Sequence, residues 1–125
     1  VFILIGTNDI GKEIPQSETL ENLEGVIQKI SREYPLAQIQ LLSVLPVNEG
    51  EEYKGTVYLR TNEKIQNLNR AYQGLASIYT NVHFIDLYET LLDETGQLGQ
   101  KFTTDGLHLT IAGYAVLSSE LDKYL

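Results

Sequence analysis

The chain carries two histidines, and only one of them has a carboxylate three positions ahead of it, in Asp105-Gly106-Leu107-His108. A neutral imidazole can take a proton from a hydroxyl and later return it to a leaving group. It needs its other ring nitrogen held by an acceptor, and Asp105 can be that acceptor. At the far end of the chain, Gly6-Thr7-Asn8-Asp9 follows directly on the apolar run Val1-Phe2-Ile3-Leu4-Ile5. The Asn8 amide is a donor suited to a developing oxyanion, and Gly6 lets the backbone turn without a Cβ clash. Both ends have a plainer alternative. Asp105 can make a turn with Gly106 while His108 caps the next helix, and Asn8 can close an Asx-turn. Asp9 reads as a partner for nearby backbone amides, and His83, followed by Phe84, as a packed or surface residue.

The elements that must bring these ends together follow from periodicity. Val1 to Ile5 reads as a strand buried on both faces, as in a parallel sheet covered by helices. Ligands in such sheets sit beyond the carboxyl ends of the strands, where Thr7, Asn8 and Asp9 fall. Gly11 and Pro15 mark a loop, Ser17 an N-cap, and Glu18 the first helical turn. Leu20, Leu23, Ile27, Ile30 and Tyr34 form one helical stripe, ended by Pro35. Ile39 to Val44 reads as a second strand before Pro46, giving a right-handed β-α-β unit. Val47 to Val57 reads as a long polar loop, either a lid carrying Tyr53 or Tyr58 or a solvated connection. Ile65, Leu68, Tyr72, Leu75 and Tyr79 mark a second helix closed by Asn81. Val82 to Asp86 supplies a third strand, and Asp86 caps a short helix through Leu87, Tyr88, Leu91 and Leu92. A last helix begins near Thr110, with Ile111, Tyr114, Leu117, Leu121 and Tyr124 on one face. The pattern is a three-layer α/β plan in a single domain.

Composition removes other classes of function. A net charge of −8 with scattered basic residues argues against nucleic acid as a partner. No apolar run approaches the roughly 20 residues of a membrane span, and no secretory signal is visible within the chain. The absence of cysteine excludes disulfides, thiolate zinc sites and a thiol nucleophile, and fits a cytoplasmic protein. Three strands are few for such a sheet. A bare apolar edge at Val1 to Ile5 would be a template for aggregation. The expectation is a further strand paired to it, from sequence ahead of Val1 or from a second copy of the chain.

Gly6-Thr7-Asn8-Asp9 after an apolar strand resembles the third block of the SGNH (GDSL-type) hydrolases, and Asp105-Gly106-Leu107-His108-Leu109 resembles their fifth. The segment Leu42 to Val47 and the β/α spacing also suit that family, especially its bacterial platelet-activating-factor acetylhydrolase-like or lysophospholipase-like branch. The resemblance spans essentially all of the chain. It implies a flavodoxin-like α/β/α parallel sheet, here lacking its first strands. It also implies a serine esterase for small acyl or acetyl esters, working through an acyl-enzyme with no metal or organic cofactor. His108 would be the base, Asp105 its orienting partner and Asn8 an oxyanion donor, with Gly6 and Thr7 bordering the substrate.

The family's Gly-Asp-Ser block and the glycine of its second block are not found here. Ser17, Ser31, Ser43, Ser77, Ser118 and Ser119 lack the setting of an activated nucleophile. Two readings follow. In the first, residues 1–125 are the C-terminal portion of a larger hydrolase domain whose serine precedes Val1. In the second, the chain is a catalytically inactive binding or assembly module on the same scaffold. A nucleotide-binding flavodoxin-like protein is disfavoured, because Gly-Thr-Asn-Asp-Ile-Gly has the wrong spacing for a phosphate loop.

Overall fold

A computed structural model describes residues 1–125. Its sheet has three parallel strands, β1 (Phe2–Ile3), β2 (Ile39–Leu42) and β3 (Val82–Ile85), in the order β1-β2-β3. Alternation along the strands divides their side chains between two faces. Ile3, Ile39, Leu41, Val82 and Phe84 meet the helices α2 (Gln16–Glu33) and α4 (Asn62–Ala76) in the main core. Leu42 and Ile85 point the other way and pack with Leu117 of α5 (Ile111–Leu121). The three-layer plan is therefore present, with two helices on one face and one on the other.

The first strand departs from expectation. Only Phe2 and Ile3 pair with β2, and of the five apolar residues only Ile3 is buried. Phe2, Leu4 and Ile5 are each more than 40 % exposed. An apolar run records a capacity for burial, and in these residues nothing covers the free edge of β1. Beyond it, Gly6 adopts a φ of 125° and the chain enters a short helix, α1 (Thr7–Gly11), instead of a loop or Asx-turn. The turn at Gly6 brings the Ile10 N–H back to the Gly6 carbonyl at 3.2 Å, which closes the helical turn.

Helix α2 starts at Gln16 with Pro15 in the cap position, so Ser17 lies inside the first turn and is not the cap. Proline fixes the extended entry and lacks only an N–H that a helix start leaves unpaired. Leu23 and Ile27 are fully buried, whereas Tyr34 ends the helix largely exposed.

Strand β2 stops at Leu42, short of Val44, because side chains take over its pairing. Asn69 accepts the Val44 N–H at 2.7 Å and donates to the Val44 carbonyl at 2.9 Å. Asn62 does the same for Val47, at 2.9 Å in each direction. Two asparagines seven residues apart lie on one face of α4 and stand in for a neighbouring strand around Pro46. They satisfy peptide groups that would otherwise be buried without partners.

The segment after β2 is not a solvated loop. Val47 and Asn48 are buried, and Glu51–Tyr53 forms a 3₁₀ turn leading into α3 (Lys54–Val57). Thr61 caps α4 by accepting the Lys64 N–H at 3.2 Å, and α4 ends at Ala76, before Tyr79. Asp86 is not the cap that was expected: the next turn, Tyr88–Leu91, is 3₁₀ with Leu87 in the cap position, and the Asp86 carboxylate one residue earlier accepts the Tyr88 N–H at 3.0 Å. Thr110 caps α5, yet its predicted apolar face is only partly covered: Leu117 is buried, while Ile111 is 91 % and Tyr114 59 % exposed. No helix is long and apolar enough to cross a membrane.

Candidate active site

The histidine segment is a small closed loop. Thr103 and Leu109 form an antiparallel bridge across it. The Thr103 hydroxyl donates to the His108 carbonyl at 2.7 Å and accepts the Gly106 N–H at 2.9 Å. Within this frame the Asp105 Oδ1 accepts the N–H groups of Leu107 and His108, at 2.9 and 2.8 Å. Its Oδ2 lies 2.6 Å from His108 Nδ1. Desolvation alone would raise the Asp105 pKa. The bonds from the His108 ring and the two N–H groups outweigh it and hold the carboxyl down at about 2. His108 Nε2 has no protein partner, and the side chain is 73 % exposed.

Glycine is required at the crown of that loop. Gly106 has a φ of 85°, and a Cβ there would lie 2.5 Å from the Cβ of Tyr53. Tyr53 thus packs against the crown of the loop. Its own segment is tied to the same place, since the Asn48 N–H donates to the Gly106 carbonyl at 2.9 Å. Tyr58, the other residue considered for a lid, is 68 % exposed.

The opposite wall is the corner at Gly6. A Cβ on Gly6 would sit 2.6 Å from the Tyr72 hydroxyl, which donates to the Ile5 carbonyl at 3.1 Å. Burial, and then the charge of Asp9, push the Tyr72 pKa well up, so the group stays a neutral donor. Asp9 accepts from the Thr19 hydroxyl at 2.9 Å and so ties α1 to α2, where backbone amides were expected as its partners. Asn8 is exposed at the start of α1, and its Oδ1 accepts from Arg60 Nη2 at 3.3 Å.

The two ends of the chain meet. Asn8, Thr7 and His108 line one groove of about 210 Å³, walled by Leu4, Ile5, Leu45 and Tyr114 among others. Gly6 does not line it and packs over Tyr72 behind the corner. No serine lines it either; Ser43 is fully buried, with its hydroxyl accepting the Leu87 N–H. His83 lies elsewhere, exposed, with Nε2 2.8 Å from Gln38 Oε1. The arrangement offers a base whose ring is held at Nδ1 and an asparagine that lines the same groove.

Sequence reasoning missed the residues that hold these groups in place. Arg60, Thr103, Asn62 and Asn69 all act through partners distant in the chain or through a loop of irregular shape, and Tyr53, named in the sequence only as a lid candidate, packs against Gly106. Thr103-Thr104-Asp105-Gly106 carries a turn signal that points to Thr103. Nothing local to Arg60 points to Asn8.

The GDSL-like Lipase/Acylhydrolase family matches residues 1–116. The chain is similar to an N-acylneuraminate cytidylyltransferase of Escherichia coli O18:K1:H7, 35% identical over 122 residues that make up 97% of this chain and 27% of that protein. It is also similar to an isoamyl acetate-hydrolyzing esterase of Saccharomyces cerevisiae, 30% identical over 98% of this chain and 55% of that protein. A solved structure from Streptococcus pneumonia, provisionally described as a platelet activating factor, superposes with a TM-score of 0.97 at 59% identity. That match covers 98% of this chain and 57% of the other. The chain therefore spans about a quarter of the first of these proteins and about half of the other two.

Proposed function

The chain belongs to the GDSL-like lipase/acylhydrolase family, the SGNH hydrolases, and from that membership we propose that it carries the base and oxyanion half of a serine esterase for small acyl or acetyl esters. The nucleophilic serine comes from outside these 125 residues, on a strand that pairs with the free edge of β1 as part of one larger domain. Its hydroxyl attacks the ester carbonyl while His108 Nε2 takes the proton. The carbonyl oxygen, now an anion, receives a hydrogen bond from the Asn8 amide. Collapse of the tetrahedral intermediate expels the alcohol with the proton from His108 and leaves an acyl-serine. Water then attacks the acyl group by the same route, His108 again serving as base and then acid, and the carboxylic acid leaves. Asp105 keeps the proton on Nδ1 and stabilises the imidazolium that forms.

The observation that carries this reading is the 2.6 Å contact between Asp105 Oδ2 and His108 Nδ1 on a groove that Asn8 also lines. The test is hydrolysis of p-nitrophenyl acetate by the full-length protein. His108→Ala abolishes turnover and leaves the circular dichroism spectrum unchanged. Near-normal turnover in that variant removes His108 from the mechanism.

A further inference from the structure

We infer that Arg60 is a positioning residue for the oxyanion donor: its guanidinium fixes the Asn8 side chain so that the amide nitrogen, and not the oxygen, is offered to substrate. The inference rests on the esterase reading above and deepens it.

Arg60 precedes the cap of α4 and reaches across to the Gly6 corner with all three of its nitrogens engaged. Nε lies 3.0 Å from the Thr7 carbonyl and 3.2 Å from the Thr7 hydroxyl. Nη1 donates to the Thr56 and Val57 carbonyls at the end of α3, at 3.2 and 3.3 Å. Nη2 donates to Asn8 Oδ1 at 3.3 Å. Room for the guanidinium depends on Gly11, where a Cβ would fall 2.7 Å from Arg60 Cζ.

A guanidinium has donors and no acceptor, so the Asn8 atom facing it must be the oxygen. A flipped amide would set donor against donor. The Asn8 Nδ2 hydrogens are therefore left for another acceptor, and Asn8 is one of the residues that line the groove. The positive charge on the oxygen side also polarises the amide and strengthens its N–H donors. Lysine cannot reproduce this: a single ammonium lacks the planar fork that spans Thr7, the end of α3 and Asn8 at once.

The test uses the full-length protein with p-nitrophenyl acetate, and Asn-selective ¹⁵N labelling read by NMR, with Asn8→Ala identifying the Asn8 side-chain signal. In Arg60→Gln and Arg60→Lys the Asn8 amide pair shifts or broadens, kcat falls about tenfold or more, and KM stays within about twofold, a loss of the kind expected for a weakened oxyanion donor. In the Asn8→Ala background, Arg60→Gln changes kcat by less than about twofold, because the residue it acts through is gone. An unmoved Asn8 signal in the Arg60 variants overturns the inference. So does a full additional loss in the Asn8→Ala background. Wild-type turnover that Asn8→Ala does not reduce sinks the oxyanion reading instead, and the NMR signal still decides whether Arg60 sets the amide.

Discussion

The Asp105 carboxylate holds His108 at two points, Oδ1 taking its backbone N–H at 2.8 Å and Oδ2 meeting ring Nδ1 at 2.6 Å. Turn former and ring holder look like competing roles in the sequence. Here they belong to the two oxygens of one residue, so folding the loop also orients the base.

Asp105→Asn separates the two roles. The amide oxygen still accepts both N–H groups and the loop keeps its shape, but the atom facing Nδ1 becomes a donor. The imidazole is then driven to carry its proton on Nε2, where it cannot serve as base. In the full-length protein kcat falls about 10³–10⁴-fold with little change in melting temperature. Asp105→Ala loses both turnover and thermal stability. An Asp105→Asn variant within tenfold of wild-type kcat refutes this division of labour.

Acid stability follows from the same carboxylate. Its pKa is about 2 in the folded chain against an ordinary value of 3.8. Between those values the unfolded chain binds more protons, so stability falls as pH drops below about 4 and the contribution is gone below about 2. Asp93 adds to the slope in the same direction, because the Thr95 hydroxyl, with backbone N–H groups, holds its carboxyl low. Urea midpoints measured from pH 6 to pH 2 should therefore decline, and less steeply in Asp105→Asn. Equal slopes in the two proteins contradict the assignment.

Gly6 and Tyr72 predict a compensating pair. Alanine at Gly6 must hold a φ of 125° and place its methyl group 2.6 Å from the Tyr72 hydroxyl. Strain and overpacking together cost about 2–4 kcal/mol. Tyr72→Phe removes the hydroxyl, along with its bond to the Ile5 carbonyl, at a cost of about 1 kcal/mol. Denaturant unfolding of the double variant shows a loss smaller than the sum of the singles. Strict additivity means that the hydroxyl is not what excludes a side chain at Gly6.

Some features were misread in the sequence for reasons the structure makes plain. Ile111 and Tyr114 share a face with Leu117, but a stripe says nothing about what lies opposite, and only Leu117 meets the sheet. The stretch from Val47 to Val57 looks like a polar connection because its buried polar group, Asn48, is satisfied at a distance, by the Leu98 carbonyl at 2.8 Å. Ser17 has the right type for a cap, but Pro15 sets the start of α2 by its fixed backbone.

The sequence by itself determined the succession of strands and helices along the chain and the glycine at the Gly6 turn, and it put Asp105 within reach of His108 without choosing between a turn and a ring contact. Each of these depends on residues a few positions apart, where backbone geometry limits the outcomes. The tertiary structure alone decided that Arg60 reaches Asn8 across 52 positions, that Asn62 and Asn69 replace a strand beside Val47 and Val44, and that Tyr53 backs Gly106. Such contacts form only when separate elements pack. A polar side chain carries no local mark of the distant partner that packing will place against it.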